Sequence, residues 1–174
     1  MRSCPILLLA VLAVSVPASA DVPAPGQAVA REAATAAVVA CEHLGFRIMA
    51  TVVDGAGRPV AAMAADPRLA RRLAYDSVHS AQIAAYFHDR SSNIADRITE
   101  EAPVFHAIHD NPQLSPLEPG GVPFPGPETL GAIGVSGRAN SDGLAAMGVA
   151  GAPDGDQDEE CARDGVIAVL QALR

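Results

Sequence analysis

The spacing of apolar positions divides the chain into helices and strands. Gln27 to Leu44 is rich in alanine, has no internal glycine or proline, and repeats its apolar residues at i, i+4 and i+7. This spacing places one apolar stripe along a helix. Gly45 follows where glycine often ends a helix. The pattern predicts an amphipathic helix over 27–44.

A β-hairpin is predicted next. Arg47 to Val53 is rich in β-branched residues, which favour strands. The turn sequence Asp54-Gly55-Ala56-Gly57 follows, and Arg58 to Ala64 is apolar again. An Asp-Gly pair between two such runs is a strong short-range signal for a hairpin.

Helices are predicted in the middle of the chain. Asp66 and Pro67 suit the N-cap and the first position of a helix. That helix continues from Leu69 to about Phe87, in one piece or in two that meet near Tyr75, and a short helix covers Ser92 to Glu100.

Proline changes the pattern after residue 101. Seven prolines interrupt Ala102 to Pro127, which predicts a long ordered loop, and such loops usually serve a function or cover a site. Thr129 to Val135 is predicted as a strand and Asp156 to Leu173 as the last helix. This order predicts one α+β domain over 27–174, with an antiparallel sheet flanked by helices.

Two glycine-rich segments compete for the last strand. Gly131 to Gly137 and Ala145 to Gly151 share a small-apolar-Gly-Val-small-Gly pattern. The glycines do not match a dinucleotide-binding fingerprint, because their spacing is wrong and they lie within a predicted apolar strand. They are interpreted as sites where another backbone approaches closely. Either segment fits the strand.

The N-terminus has the features of a secretory signal peptide. A basic start at Arg2 precedes an apolar run from Ile6 to Val16 and the small residues Ala18-Ser19-Ala20. This predicts a signal peptide over 1–20, a linker over 21–26 and export to the periplasm or the extracellular space. No second long apolar run follows, so no membrane association is expected after cleavage.

Charge and composition exclude several functions. The mature chain carries 11 arginines against 20 acidic residues, and lysine is absent from the whole sequence. An acidic chain without basic clusters is not expected to bind nucleic acid. Schiff-base chemistry on a lysine is excluded.

Cys41 and Cys161 are the two cysteines that remain after cleavage. In an oxidising compartment such a pair favours a disulfide. Two separate buried thiols are the alternative.

Histidine supplies the candidate ligands. His106 and His109 are three residues apart beside the proline-rich segment, and His79 lies on the central helix. A pair at i, i+3 can face one way and hold a metal or a haem iron. No third ligand has a convincing zinc-site spacing.

Three segments, in this order, resemble the GlcG/HbpS-like family of small haem-associated proteins. They are Thr51 to Gly57, Gly120-Gly121-Val122-Pro123, and Gly134 to Gly137 with Gln157-Asp158-Glu159. The resemblance covers roughly residues 27–173. It implies a profilin-like antiparallel sheet of about five strands, homo-oligomers, and binding of haem or a related tetrapyrrole.

The central helix departs from the family pattern. Relatives commonly carry a Lys-Ala-x-Thr-Ala stretch, and this chain has Ser80 and Ile83 at the lysine and threonine positions. Any role of those two side chains in relatives is therefore in doubt here.

The resemblance favours an exported haem- or tetrapyrrole-binding protein that handles or senses haem. His106 and His109 are the first candidate ligands for iron and His79 the next, because a porphyrin needs an axial ligand. Its carboxylates need cations, for which Arg71, Arg72 and Arg90 are the candidates.

Two alternatives remain, and the residues alone do not decide whether the protein is an enzyme. One is an enzyme that degrades haem or acts on a small molecule, with Asp54 and His106 as its acid–base pair. The other is an interaction subunit without chemistry, which the missing lysine and threonine favour.

Overall fold

The computed structural model describes residues 26–98, 102–111, 114, 119–126, 131–138 and 156–172. Over these residues the chain forms five helices and four strands. The helices are α1 (Gln27–His43), α2 (Pro67–Phe87), α3 (Ser91–Arg97), α4 (Ala102–His109) and α5 (Asp156–Ala172). The strands are β1 (Arg47–Val53), β2 (Pro59–Ala64), β3 (Gly121–Pro123) and β4 (Ala132–Arg138). The predicted signal peptide and most of the linker lie outside the described residues.

The four strands form one antiparallel sheet in the order β2-β1-β4-β3. The predicted α+β class is confirmed, although the described residues contain four strands where about five were expected. The first glycine-rich segment supplies β4, a central strand. The second, Ala145 to Gly151, lies outside the described residues.

Helices cover both faces of the sheet. Because neighbouring residues of a strand point to opposite faces, Ile48, Ala50 and Val52 of β1 enter the core beneath α1 and α5. The alternate residues face α2, where the hydroxyl oxygens of Thr51 and Ser77 are hydrogen-bonded at 2.9 Å. Because helices bury both faces of β1, its sequence is a continuous run of mostly apolar residues.

A disulfide joins the first helix to the last. Cys41 in α1 and Cys161 in α5 are bonded, with their Cα atoms 5.5 Å apart. Both are almost fully buried in the core shared by the two helices and the sheet. The sequence alone did not decide between a disulfide and two separate thiols, and the structure contains the disulfide.

The turns and caps follow the sequence signals. The N–H of Gly45 donates to the carbonyl of Glu42 and that of Phe46 to Cys41, which is the Schellman arrangement at the end of α1. At the hairpin, Gly57 has a φ of +76° and its N–H donates to the carbonyl of Asp54. The predicted hairpin and helix end are confirmed.

The structure decides one alternative and corrects one predicted element. The central helix α2 is one continuous helix with no break near Tyr75. The proline-rich segment begins with α4, not with a loop. Helix α4 tolerates Pro103 because the first turn of a helix needs no hydrogen bond from that nitrogen. Its apolar side is held by Val104 and Ile108, which are buried in one cluster with Ile83.

Two glycines allow α2 to lie directly on the sheet. An added Cβ at Gly134 would collide with the Ser77 carbonyl oxygen, and one at Gly121 with the Ser80 carbonyl oxygen. The interpretation of Gly134 as a point of close backbone approach is confirmed.

Candidate functional site

The exposed side of α2 carries a stripe of polar and aromatic side chains. Tyr75, His79, Gln82 and Tyr86 recur at i, i+4, i+7 and i+11, which places them along one face of a helix. Tyr75 is 54% exposed and Tyr86 56% exposed. The opposite side of α2 packs on the sheet through alanine and serine. We call these four residues the α2 stripe.

His79 is held in one orientation within this stripe. Its Nδ1 lies 2.7 Å from the backbone carbonyl oxygen of Tyr75. Because a carbonyl oxygen only accepts, Nδ1 is the donor of this bond, and Nε2 is the ring nitrogen that is left to meet a ligand. The imidazole also packs against the Tyr75 ring, with the two centroids 3.8 Å apart. Histidines that ligate metals commonly donate their other nitrogen to a carbonyl or carboxylate in this way.

A cavity of about 200 Å³ lies beside the stripe. It is enclosed by the hairpin turn over 55–57, by α2 and by the residues that follow α4. The Nε2 of Gln82 donates to the carbonyl oxygen of Gly57 at 3.0 Å and thereby joins α2 to the turn. The residues that line the cavity are uncharged, and its volume is below the roughly 300–1,000 Å³ of ligand pockets.

Few of the nearby arginines are available to a ligand. Arg47 and Arg68 both form ion pairs with the carboxylate of Asp66, which is the N-cap of α2. The hydrogen bonds from Arg68, together with the positive charges of Arg68 and Arg47, lower the pKa of Asp66 to about 2. Arg71 is exposed on α2 and makes no ion pair with any described residue. Arg72 also lies in α2, where its side chain is outside the described part of the structure.

Arg90 is already engaged. It lies 3.6 Å from the buried carboxylate of Glu159 and donates to the Asn93 side chain at 3.2 Å. The Arg90 guanidinium pairs with Glu159 and so helps to hold α3 against α5. We therefore do not include Arg90 in the candidate site.

The histidines of α4 do not face an apolar slot. His106 and His109 are both exposed, and the side of α4 that is buried carries Val104 and Ile108. His109 stacks on Phe105 at a centroid distance of 5.7 Å, and its Nδ1 lies 3.1 Å from Asp110. The long loop predicted from Ala102 begins instead as helix α4, which turns both imidazoles to solvent. Nor do three or more metal-binding side chains cluster anywhere among the described residues.

Asp54 is a structural residue of the hairpin. Its carboxylate is buried and accepts hydrogen bonds from the backbone N–H groups of Ala56 and Arg58 and from the Arg58 guanidinium. Burial alone raises the pKa of Asp54, but these hydrogen bonds and the charge of Arg58 outweigh it and lower the pKa below 3.8. A carboxylate with its oxygens so engaged does not suit a general acid, and nothing in the structure joins it to His106.

A second, wider depression of about 620 Å³ lies between α1 and α5. Its floor is apolar, and the carboxylates of Glu32 and Asp164 lie at its edge. This negative charge opposes a ligand that carries carboxylates.

The fold defines the class of protein: a small α+β domain with an antiparallel sheet between helices. The sequence profile described as "Haem degrading protein HbpS-like" matches residues 26–143, about two thirds of the chain. The chain therefore belongs to the HbpS-like family. The match includes β4 and ends before the second glycine-rich segment. No curated protein matches the chain.

Solved structures share the fold along most of the chain. A double mutant of Streptomyces reticuli HbpS is 26% identical, with a TM-score of 0.66 over 92% of this chain and 97% of the other. Klebsiella pneumoniae protein ORFY is 18% identical, with a TM-score of 0.68 over 89% and 97%. A PduOC–haem complex is 16% identical, with a TM-score of 0.65 over 83% and 94%. The last two show a common fold alone.

Ser80 and Ile83, which replace the lysine and threonine of the family pattern, are core residues in this chain. Ser80 is 1% exposed and lies where α2 crosses Gly121 of β3. Ile83 is fully buried in the cluster that holds α3 and α4 against α2. Neither side chain is available to a ligand. The sequence reasoning missed Tyr75, Gln82 and Tyr86, although their helical spacing with His79 is readable from the sequence.

Proposed function

We propose that this protein is an exported binding protein for haem or a related tetrapyrrole, with a role in haem handling or sensing. Its membership of the HbpS-like family supports a haem-related function. The N-terminal basic residue, apolar run and small residues support export.

The orientation of His79 is the observation that supports His79 as the iron ligand. Its Nδ1–H is committed to the Tyr75 carbonyl oxygen, so Nε2 is the nitrogen left to bind iron. This hydrogen bond fixes the orientation of the ring, as it does for histidines that ligate metals. His79 is therefore the preferred ligand over His106 and His109, neither of which has a ring nitrogen fixed by a backbone carbonyl.

The rest of the α2 stripe fits a planar ligand that is apolar and carries carboxylates. The exposed rings of Tyr75 and Tyr86 offer aromatic surface on either side of His79 along the helix. Arg71 lies one turn before Tyr75 and makes no ion pair with any described residue, so its positive charge suits a carboxylate of the porphyrin. Bound haem would supply redox and ligand-binding chemistry at its iron, while the chain would hold and orient it.

An open helix face favours handling over catalysis. The cavity beside the stripe is too small to enclose a porphyrin, so a ligand on α2 would keep much of its surface accessible. Accessible haem can be passed to another carrier, whereas oxidative degradation requires control of water and oxidant at the iron.

Haem titration tests the proposal. We expect the purified protein to shift the Soret band of haem at micromolar concentration, and His79→Ala to abolish that shift. His106→Ala/His109→Ala is the matched control, because it removes two exposed imidazoles from another helix, and it should retain the shift. The absence of a Soret shift in the unmodified protein would refute haem binding and favour an interaction subunit. Loss of the shift only in the double variant would place the ligand on α4.

Degradation of haem is the second candidate function, since the family description names that activity. Peroxide should then consume the Soret absorbance of the protein–haem complex faster than that of free haem. Equal rates would leave binding as the function.

A further inference from the structure

The cavity of about 200 Å³ beside the α2 stripe has the size of one small ring. A water molecule takes about 30 Å³ of liquid volume, so the space equals roughly six or seven waters, or a single five- or six-membered ring with small substituents. Ala85 and Leu114 in its lining are each 2% exposed, and Tyr86 adds an aromatic ring. We call this space the hairpin cavity.

The hairpin cavity favours an uncharged ligand. No charged residue lines it in the described part of the chain. Two backbone N–H groups of the turn, which could otherwise hold an anion, already have acceptors: that of Ala56 donates to the Asp54 carboxylate and that of Gly57 to the Asp54 carbonyl. A carboxylate or an ammonium group would therefore lose its hydration here without gaining a partner of opposite charge.

Gln82 supplies the polar contact. Its Nε2 lies 3.0 Å from the carbonyl oxygen of Gly57. Since a carbonyl oxygen has no proton to donate, the amide nitrogen and not Oε1 belongs at this contact, and the hydrogen bond holds the amide in place. One N–H of Gln82 is thereby used, and its Oε1 accepts no hydrogen bond from any other described residue. Gln82 thus retains an acceptor and a second donor for a ligand in the cavity that it lines.

A lactam matches these groups. It is a neutral ring with an amide N–H beside its carbonyl, so it can donate to Oε1 of Gln82 and accept from the second N–H. Its ring carbons suit Ala85 and Leu114, and its flat amide suits the ring of Tyr86. A hydrocarbon ring of the same size would fill the space but leave the Gln82 amide without these partners, so the N–H and the carbonyl are the features that the site selects.

We propose that the hairpin cavity binds a lactam ring. Open-chain tetrapyrroles, the ring-opened relatives of haem, end in such rings, whereas the pyrrole rings of a closed porphyrin are held within the macrocycle. Gln82 lies three residues after His79 on the α2 stripe, so a terminal ring in the cavity leaves the rest of an open chain along the same helix face. This source of the ring rests on the proposed tetrapyrrole function, while the lactam site itself does not. The other source is a free small lactam.

Two small probes test the lactam site without any tetrapyrrole. In nitrogen–proton correlation spectra of the purified protein, 2-pyrrolidone should shift the side-chain amide of Gln82 and the backbone amide of Gly57 in a saturable way. N-Methyl-2-pyrrolidone has the same ring without the N–H and should bind at least about fivefold more weakly, as expected for one lost hydrogen bond. Equal affinities for the two probes, or no saturable shift at Gln82, would overturn the proposal. This comparison needs no variant, so it does not depend on how a substitution affects folding.

Gln82→Met removes the amide and keeps an unbranched side chain of similar length. It should weaken 2-pyrrolidone binding at least about fivefold. Gln171→Met is the matched control, because it makes the same change at an exposed glutamine of α5, and it should leave the affinity unchanged. The proposal fails if Gln82→Met binds 2-pyrrolidone as tightly as the unmodified protein does.

Biliverdin, an iron-free open-chain tetrapyrrole, distinguishes the two sources. Its absorption spectrum should change on binding at micromolar concentration, and Gln82→Met should raise its dissociation constant at least about fivefold. Binding of 2-pyrrolidone without binding of biliverdin would support the lactam site and assign it to a free small lactam. Biliverdin binding that is insensitive to Gln82→Met would overturn the use of the cavity by a tetrapyrrole. Because biliverdin carries no iron, these results are independent of the Soret test of haem binding at His79.

Discussion

The carboxylate of Glu159 in α5 accepts a hydrogen bond from the backbone N–H of Ser92 in α3 at 2.8 Å, across 67 residues of sequence. Glu159 is buried, and its other oxygen accepts from the Ser92 hydroxyl at 2.9 Å. The neighbouring Ser91 hydroxyl accepts from the N–H of Gly121 at 2.8 Å. One acidic side chain therefore caps α3 and holds it against β3 and α5.

Replacing Glu159 by alanine should lower the free energy of unfolding by about 2–3 kcal/mol, since it leaves the half-buried donors of Ser92 and the charge of Arg90 without their acceptor. Urea denaturation measures the loss. Glu160→Ala changes the next, exposed residue of α5 and should cost less than about 0.5 kcal/mol. Equal effects of the two substitutions would contradict the capping role.

Removing the disulfide should destabilise the fold. The bond closes a loop with a sequence separation of 120 residues. The chain-entropy model gives about 5 kcal/mol as the upper value for a loop of this length, and we expect Cys41→Ala/Cys161→Ala to lose roughly 2–5 kcal/mol. Thermal unfolding with and without reductant measures it, and reductant should destabilise only the unmodified protein. A double variant as stable as the oxidised protein would disprove this account.

Asp54 should make stability depend on acid pH. Its pKa is lowered in the folded state, so the folded state favours the ionised form. The resulting stabilisation is complete above about pH 4 and is lost as the pH falls through the folded pKa. We expect the unmodified protein to exceed Asp54→Asn by about 1–2 kcal/mol at neutral pH. The difference should vanish near the acid limit. Glu42→Gln, an exposed change, should show no such convergence, and a pH-independent difference for Asp54→Asn would argue against the ion pair with Arg58.

Gly134 should not tolerate a side chain. A methyl group there would push α2 away from the sheet at Ser77 and Ala81. Gly134→Ala should therefore cost about 2–3 kcal/mol as an overpacked core site. Gly26→Ala serves as the comparison, because nothing lies within 4 Å of an added methyl group at that position. Similar melting temperatures for the two variants would refute the close packing.

The mature N-terminus should be Asp21. Ala18 and Ala20 satisfy the small-residue rule for signal cleavage. Intact-mass measurement of the protein recovered from the culture medium or periplasm identifies the first residue. A species that retains Met1, or the apolar run from Ile6 to Val16, would exclude export by this route.

The elements that could be predicted from the sequence are those whose signals are local. Helix α1 with Gly45 at its end, the hairpin around Asp54 and helix α5 all depend on periodicity and on residues with special backbone preferences. Helix α4 was missed because seven prolines dominate the segment. Only one of them, Pro103, lies inside the helix, and it occupies the first turn, where proline is tolerated.

The candidate site was predictable in part. His79 was among the candidate ligands, and its stacking on Tyr75 follows from an i, i+4 spacing on one helix. The ion pair between Arg90 and Glu159 was not predictable, because Glu159 lies on a helix distant in sequence and only the folded chain brings the two side chains together. The outward orientation of His106 and His109 likewise depends on how Val104 and Ile108 are buried.

The bond between Cys41 and Cys161 turns most of the domain into a closed ring. The hairpin, α2, α3, α4 and the last two strands all lie on the chain between these two cysteines. A single cut anywhere in that interval opens the ring but leaves both pieces covalently attached. The protein would thus keep its two pieces together after one proteolytic cleavage.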